Sequence, residues 1–267
     1  MPPGLFAYPK SAALGRVLPK SKIFEHGSPT SSVKELFVRQ VDQIVWQFKL
    51  APETINLPSS RSVPEIQVFS VTLKEGEIKG EVLRFMDQSI PYPILFELCY
   101  KDKIKAIASY KRPSEADNTR WVVSDYFETS WLPKETPRTP LPIVLNLESL
   151  YASLLTSLMP FPIRSGEGFH DLVARMELFR SRQKEREKCE SLLRKEKQFN
   201  RKVQINSELR ELKREIETLT SAFPNLSINR FFVVSKSTLS SRQGLSVLAM
   251  GAFAIRSASR FPGQLSW

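Results

Sequence analysis

Glu65, Glu97 and Asp125 are the residues of this 267-residue chain that could act together on a substrate. Each is expected on a separate strand, with Lys105 and Lys111 on a fourth. Carboxylates and a lysine gathered in this way can hold a divalent cation that activates water, as in a metal-dependent nuclease. The pattern that would sharpen this, an acid two residues before a lysine, fails at all three positions. Gln67 follows Glu65 at that spacing, Cys99 follows Glu97, and Phe127 follows Asp125. An ordinary strand pair between Glu97 and Lys105, diagonal across a hairpin, accounts for those two residues equally well.

Other chemistries are excluded outright. Two cysteines, Cys99 and Cys189, cannot by themselves build a disulfide framework, a zinc finger or an iron–sulfur site. His26 and His170 stand apart from each other, and the HExxH pattern is absent. No GxxxxGK[ST] or glycine-rich phosphate cradle occurs, and no GxSxG. No metal or other cofactor is implied.

Nucleic-acid binding is the better-supported chemistry. The net charge is +11, and it lies at the two ends of the chain. Residues 61–167 carry thirteen basic and fourteen acidic groups, whereas 168–220 carry fourteen against ten and 221–267 carry five against none. Such an excess favours acidic partners through counterion release. Arg194, Lys195, Lys197, Arg201 and Lys202 form the densest cluster, relieved only by Glu196, and could follow a phosphate backbone. Lys111 and Arg112, after Tyr110, and Trp121, after Arg120, bracket a loop with the mix of cation and ring that stacks on unpaired bases.

The elements that would position these groups follow from the apolar spacing. Residues 1–30, with five prolines, read as an extended basic arm. A helix is expected from Ser31–Ser32, carrying Leu36, Val41, Ile44, Val45 and Phe48 and stopped by Pro52. Strand 65–73, helix 81–90, a hairpin, strand 121–132 and a helix near 146–158 complete an α+β domain over 31–167, a small mixed sheet with flanking helices. In the hairpin, a three-residue loop at 101–103 pairs Leu98 with Ala106 and makes every facing pair apolar.

From Phe169 to Thr220 there is neither proline nor glycine, and a straight helix of that length would reach about 78 Å. Ile205, Leu209, Leu212, Ile216 and Leu219 form a heptad seam suited to a partner helix, either docked on the chain's own domain or in a coiled coil with another chain, a second copy included. The phase slips near Val203–Ile205, so the segment 168–220 is expected to be a long helix bent there or a helical hairpin. Residues 221–267 read as a poorly structured basic tail. The first eleven residues do not form a signal peptide. The longest apolar run, Leu245 to Ile255, spans about 16 Å as a helix, roughly half a bilayer. With so few cysteines, a cytoplasmic protein away from membranes is expected.

The stretches LFAYPKSAALGRVLPKSKIFEH, VDQIVWQFKLAPETINLP, VPEIQVFSVTL, PYPILFEL, YKRPSEADNTRWVVSDYF and KEKQFNRKVQINSELRELK, in that order, resemble the uncharacterised bacterial domain-of-unknown-function family 4391 over residues 5–220. Genes of that family tend to lie beside DNA methyltransferases and helicase or restriction subunits. The resemblance therefore implies a place in a restriction or anti-phage cluster, and it carries over no catalytic residue. The combined expectation is a non-catalytic accessory subunit that joins a methyltransferase or helicase partner and touches DNA. A divalent-metal nuclease and a free-standing nucleic-acid-binding protein are the alternatives.

Overall fold

The computed structural model describes residues 4–114 and 121–221. Its centre is a mixed sheet built from β2 (Ala13–Val17), β3 (Val41–Leu50), β4 (Ile66–Leu73), β5 (Ile94–Tyr100), β6 (Lys103–Pro113) and β7 (Trp121–Glu128), in that spatial order. Short β8 (Leu132–Pro133) pairs with β6, and β1 (Phe6–Ala7) pairs in parallel with β9 (Thr139–Pro140) as a separate ribbon. Only β4 and β5 run parallel within the main sheet, and α4 (Gly80–Ser89) makes the crossover between them.

Both faces of the sheet are covered. On one, α1 (Lys20–Gly27), α2 (Ser31–Gln40) and α4 place Ile23, Phe37, Leu83 and Met86 against Phe69, Val71, Phe96 and Leu98. On the other, α5 (Leu147–Thr156) and the first turns of α6 (Phe169–Lys195) pack Leu150, Leu154, Leu172 and Met176 on Ile66, Val68, Leu95 and Ala106. Gly27 allows α1 to touch α4, since a Cβ there would lie 2.5 Å from the Phe85 ring. The expected α+β class, with helices flanking a mixed sheet and long helix at the C-terminal end, is what the chain forms.

Four expectations are corrected. The arm expected over 1–30 is folded over its described residues, 4–30: β2 pairs with β3, Ile23 of α1 is buried, and Arg138 donates to the Phe6 carbonyl at 2.9 Å. Its prolines set the turns between elements; Pro19, for example, is the N-cap of α1. The helix expected over 31–48 ends at Gln40, and Val41–Leu50 is a strand bonded on both sides. Irregularities between Val41 and Gln43 and between Trp46 and Phe48 shift its faces. That shift makes a strand mimic helical spacing.

The β5–β6 turn has two residues, not three: Tyr100 pairs with Lys103, and Leu98 faces Lys105. Lys101 takes a left-handed conformation, φ 53°. Alternation could not decide the register, because both faces of β5 are buried. Lys105 escapes the core by pairing with Glu128 at 2.9 Å, near the Trp131 ring.

Finally, the long segment breaks at Glu196–Gln198, not near Val203, and α7 (Phe199–Thr220) folds back on α6 as a hairpin. No glycine is needed, because the Glu196 carboxylate accepts from the Lys197 and Gln198 backbone N–H groups at 2.8 and 2.9 Å. Beyond Ser221 the expected basic tail lies outside the described residues.

Candidate nucleic-acid interface at the hairpin tip

The α6–α7 hairpin is anchored at its open end. Arg175 is buried, held by Glu167 at 2.6 and 2.8 Å, and donates to the carbonyls of Leu219 and Pro162, both at 2.9 Å. Arg164 reaches the Thr218, Leu219 and Ser221 carbonyls. Two guanidinium groups thus satisfy carbonyls that the end of α7 leaves without helical partners. The Arg175 contact holds the Glu167 carboxyl below its ordinary range. Further along, Arg182 of α6 meets Glu215 of α7 at 2.8 Å.

The heptad seam faces inward along this hairpin. Ile205 and Leu209 are buried, and Leu212, Ile216 and Leu219 are half-buried. The seam thus lies against the chain's own α6, one of the two uses its spacing allows, and not on a free face.

The closed end is different. Leu192, Phe199 and Val203 are exposed, Phe199 at 77%. Around them Arg194, Lys195, Lys197 and Arg201 are exposed and Lys202 half-buried. The one acid in their midst, Glu196, is engaged by the turn's own N–H groups, which hold its carboxyl below the ordinary range, and by Arg201 at 3.5 Å. The tip therefore offers five cations around an exposed aromatic ring. Such a surface can bind phosphates electrostatically while the ring stacks on a base.

The second basic group does not form such a surface. Lys111 is 1% exposed. Its Nζ donates to the Asp87, Ile90 and Tyr92 carbonyls and lies 5.7 Å from the Trp121 ring. This ammonium fastens the end of α4 and cannot reach a nucleic acid. Arg112 and Trp121 are half-buried, and the loop they bracket lies outside the described residues.

The three carboxylates do not converge. Glu97 is buried on the α5–α6 side, clasped by both Arg138 nitrogens at 2.6 and 2.8 Å, and this replaces the expected pairing with Lys105. Asp125 is exposed on the edge strand β7, between Arg84 at 3.7 Å and Arg180 at 3.8 Å. Glu65 lies just before β4, paired with Lys49 at 3.1 Å. Strand register puts Glu65 and Glu97 on opposite faces, since Ser70 and not Gln67 neighbours Glu97. Among the described residues, no three His, Cys, Asp or Glu side chains come together as a metal site.

Sequence reasoning missed two groupings. One is a buried set in which Asp87 accepts from Ser109 at 3.1 Å and from the Tyr126 hydroxyl, with Lys111 beside it. The other joins Lys49, Glu53, Glu65 and Gln67 at the β3–β4 connection. An acid and a lysine spaced along one strand would be legible in the sequence, but this lysine stands on the neighbouring strand.

Fold and site define a class: a mixed-sheet α+β domain with a helical hairpin whose tip is basic and apolar. The chain belongs to the family described as Domain of unknown function (DUF4391), whose match runs over residues 6–216. That span takes in the sheet, both helical layers and the hairpin tip. No curated protein and no solved structure matches the chain. Among the described residues, no helix is long and apolar enough to cross a membrane.

Proposed function

We propose that this protein is a nucleic-acid-binding accessory subunit that grips DNA with the tip of its α6–α7 hairpin. The observation that carries the reading is the exposed Phe199 ring among Arg194, Lys195, Lys197, Arg201 and Lys202. An apolar ring is held in water only at a cost, and cations around it prepare for phosphates on either side of a stacked base. The family resemblance supports a restriction or anti-phage assembly as the setting, with a methyltransferase or helicase as the protein partner. Because the heptad seam is occupied by α6, that partner would meet some other surface.

Fluorescence anisotropy with labelled single-stranded and duplex oligonucleotides tests the reading. Binding should weaken steeply with salt, the log–log slope falling by about 0.7 per phosphate contact for single strands. Lys195→Glu with Lys197→Glu should weaken both substrates by about tenfold or more, through lost phosphate contacts. Phe199→Ala should weaken single strands more than duplex, since only unpaired bases stack freely. Affinity unchanged in both variants would remove the tip as the binding site.

A further inference from the structure

We propose that the cavity between β6, α5 and α6 takes one unpaired nucleobase, guanine best, stacked among Tyr110, Phe169 and His170 and read by Glu148. The bulge in β6 makes the site. Ser109 and Lys111 turn their side chains toward α4, where both meet Asp87, and Tyr110 between them packs on the α5–α6 side. The strand register skips Tyr110, whose N–H donates to the Ser124 hydroxyl at 2.8 Å. A bulge re-aims a side chain in this way, and bulges concentrate beside functional sites.

Three rings thereby line one cavity of about 220 Å³. Phe169 and His170 open α6, with ring centroids 5.2 and 5.6 Å from that of Tyr110 and planes at 84° and 81° to it. From each other they stand 6.1 Å apart, at 86°. The Tyr110 hydroxyl and His170 Nε2 are hydrogen-bonded at 2.9 Å, which fixes two of the walls. The connector that follows the short helix α3 (Pro52–Ile55) adds the buried Val63 to the lining.

The walls select a flat aromatic ligand. A ring laid on one of three perpendicular rings meets the other two edge-on, and offset stacking and edge-to-face contact are the arrangements that aromatic pairs prefer. The cavity is smaller than the roughly 300–1,000 Å³ of an ordinary small-molecule site, which suits a base and leaves its sugar and phosphate outside. Glu148 lines the same cavity, is exposed, and makes no ion pair among the described residues. Burial raises the Tyr110 hydroxyl above its ordinary range, against Arg112, and the Glu148 charge adds to that rise, so the carboxylate stands near the ring. A carboxylate only accepts hydrogen bonds. Guanine offers it adjacent N–H donors from N1 and N2, whereas uracil sets its single N–H between carbonyls. Lys111, the other charged residue of the lining, has its ammonium bound to carbonyls near the end of α4. A quaternary ammonium also suits rings beside a carboxylate, but the positive end of α6 lies at this cavity and opposes a cation. The base must be unpaired, because pairing occupies the edge that Glu148 would read and stacking covers the faces. A free nucleotide and a single strand both supply one.

Isothermal titration calorimetry of the full chain with GMP, UMP and choline tests the site. GMP should fill one site per chain, about tenfold or more tightly than UMP, the scale of one hydrogen bond to a charged group. His170 and Glu148 are exposed, so their substitution should leave the fold intact. His170→Ala should weaken GMP about fivefold or more, the scale of a lost stacking contact, and Glu148→Gln should abolish the preference for GMP over UMP. The Lys195→Glu, Lys197→Glu protein should keep its GMP affinity, which separates this pocket from the hairpin tip. In that protein, an oligothymidylate with one central guanine distinguishes the sources. Tighter binding than GMP, lost when the guanine becomes thymine, assigns the pocket to a base within a strand, and tighter binding of GMP assigns it to a free nucleotide. Failure to bind GMP, GMP affinity indifferent to both pocket variants, or displacement of GMP by choline overturns the proposal.

Discussion

Asp87 is fully buried, and one of its oxygens has no hydrogen-bond donor. Burial pushes its carboxyl up from the ordinary 3.8 to about 6, against the pull of Lys111 and the hydroxyls of Tyr126 and Ser109. Between those values the folded chain holds a proton that the unfolded chain has lost. Stability should therefore rise as pH falls from neutral through 6. Two other shifted groups act mainly outside this window. Burial lowers Lys111 to about 8, so its charging is complete below neutrality. Glu167, held below its ordinary 4.5, withdraws stability only at lower pH. Thermal melts should show Tm rising between pH 7.5 and 5.5, and Asp87→Asn, which cannot titrate, should lose that rise. An identical pH slope in the variant would mean that another group is responsible. Little of this environment was legible in the sequence. Lys111 reads as a surface cation until α4 brings its last carbonyls to it. Glu65 is recognisable as a candidate, but the helical spacing of the apolar residues up to Phe48 conceals strand β3, and with it the pairing of Glu65 with Lys49.

At the scale of elements, packing decided what local pattern could not. Proline and glycine punctuation placed α4 and α5 well: Pro91 lies just past one, and Asn146 caps the other through the Ser149 N–H at 2.8 Å. The β5–β6 register was misread because the rule of apolar faces assumes one wet face, and these strands have none. Bulges account for the helical look of β3, and a further bulge, between β6 and β7, is held by a side chain. The β6–β7 register shifts between Ser109 and Lys111. There the Tyr151 hydroxyl of α5 donates to the Ser109 carbonyl at 2.6 Å and accepts from the Lys111 N–H at 3.0 Å. The hydroxyl thus replaces strand partners that the bulge removes. Tyr151→Phe would leave both backbone groups buried without partners, at roughly 1–3 kcal/mol each when nothing relaxes. Urea denaturation should show a loss of about 2–4 kcal/mol, the range expected once partial relaxation is allowed. A loss below 0.5 kcal/mol, roughly the scale of a neutral surface change, would mean the bulge holds itself.

Stability across the whole molecule is graded from sheet to hairpin tip. Leu172, Val173 and Met176 of α6 are buried in the core, whereas only Ile205 and Leu209 are buried in α7. From 177 to 204 every residue is exposed or half-buried. Opening of the tip therefore exposes little apolar surface and costs less than opening of the sheet. At the base α7 is tied down by polar contacts, where Arg175 joins Glu167, Pro162 and Leu219 in one buried network. Removing Arg175 leaves the Glu167 carboxylate the Arg164 N–H at 2.8 Å but no buried guanidinium, and takes that donor from the end of α7. Arg175→Ala should thus raise amide exchange throughout α7 and at the tip while the amides of β4, β5 and β6 keep their protection. Mass-spectrometric hydrogen exchange resolves the two regions directly. Equal loss of protection in both would show that hairpin and sheet open as one unit. If they separate, DNA bound at the tip should restore protection to α7 in the wild-type chain before it alters the sheet, because binding energy spent there first orders the least stable part.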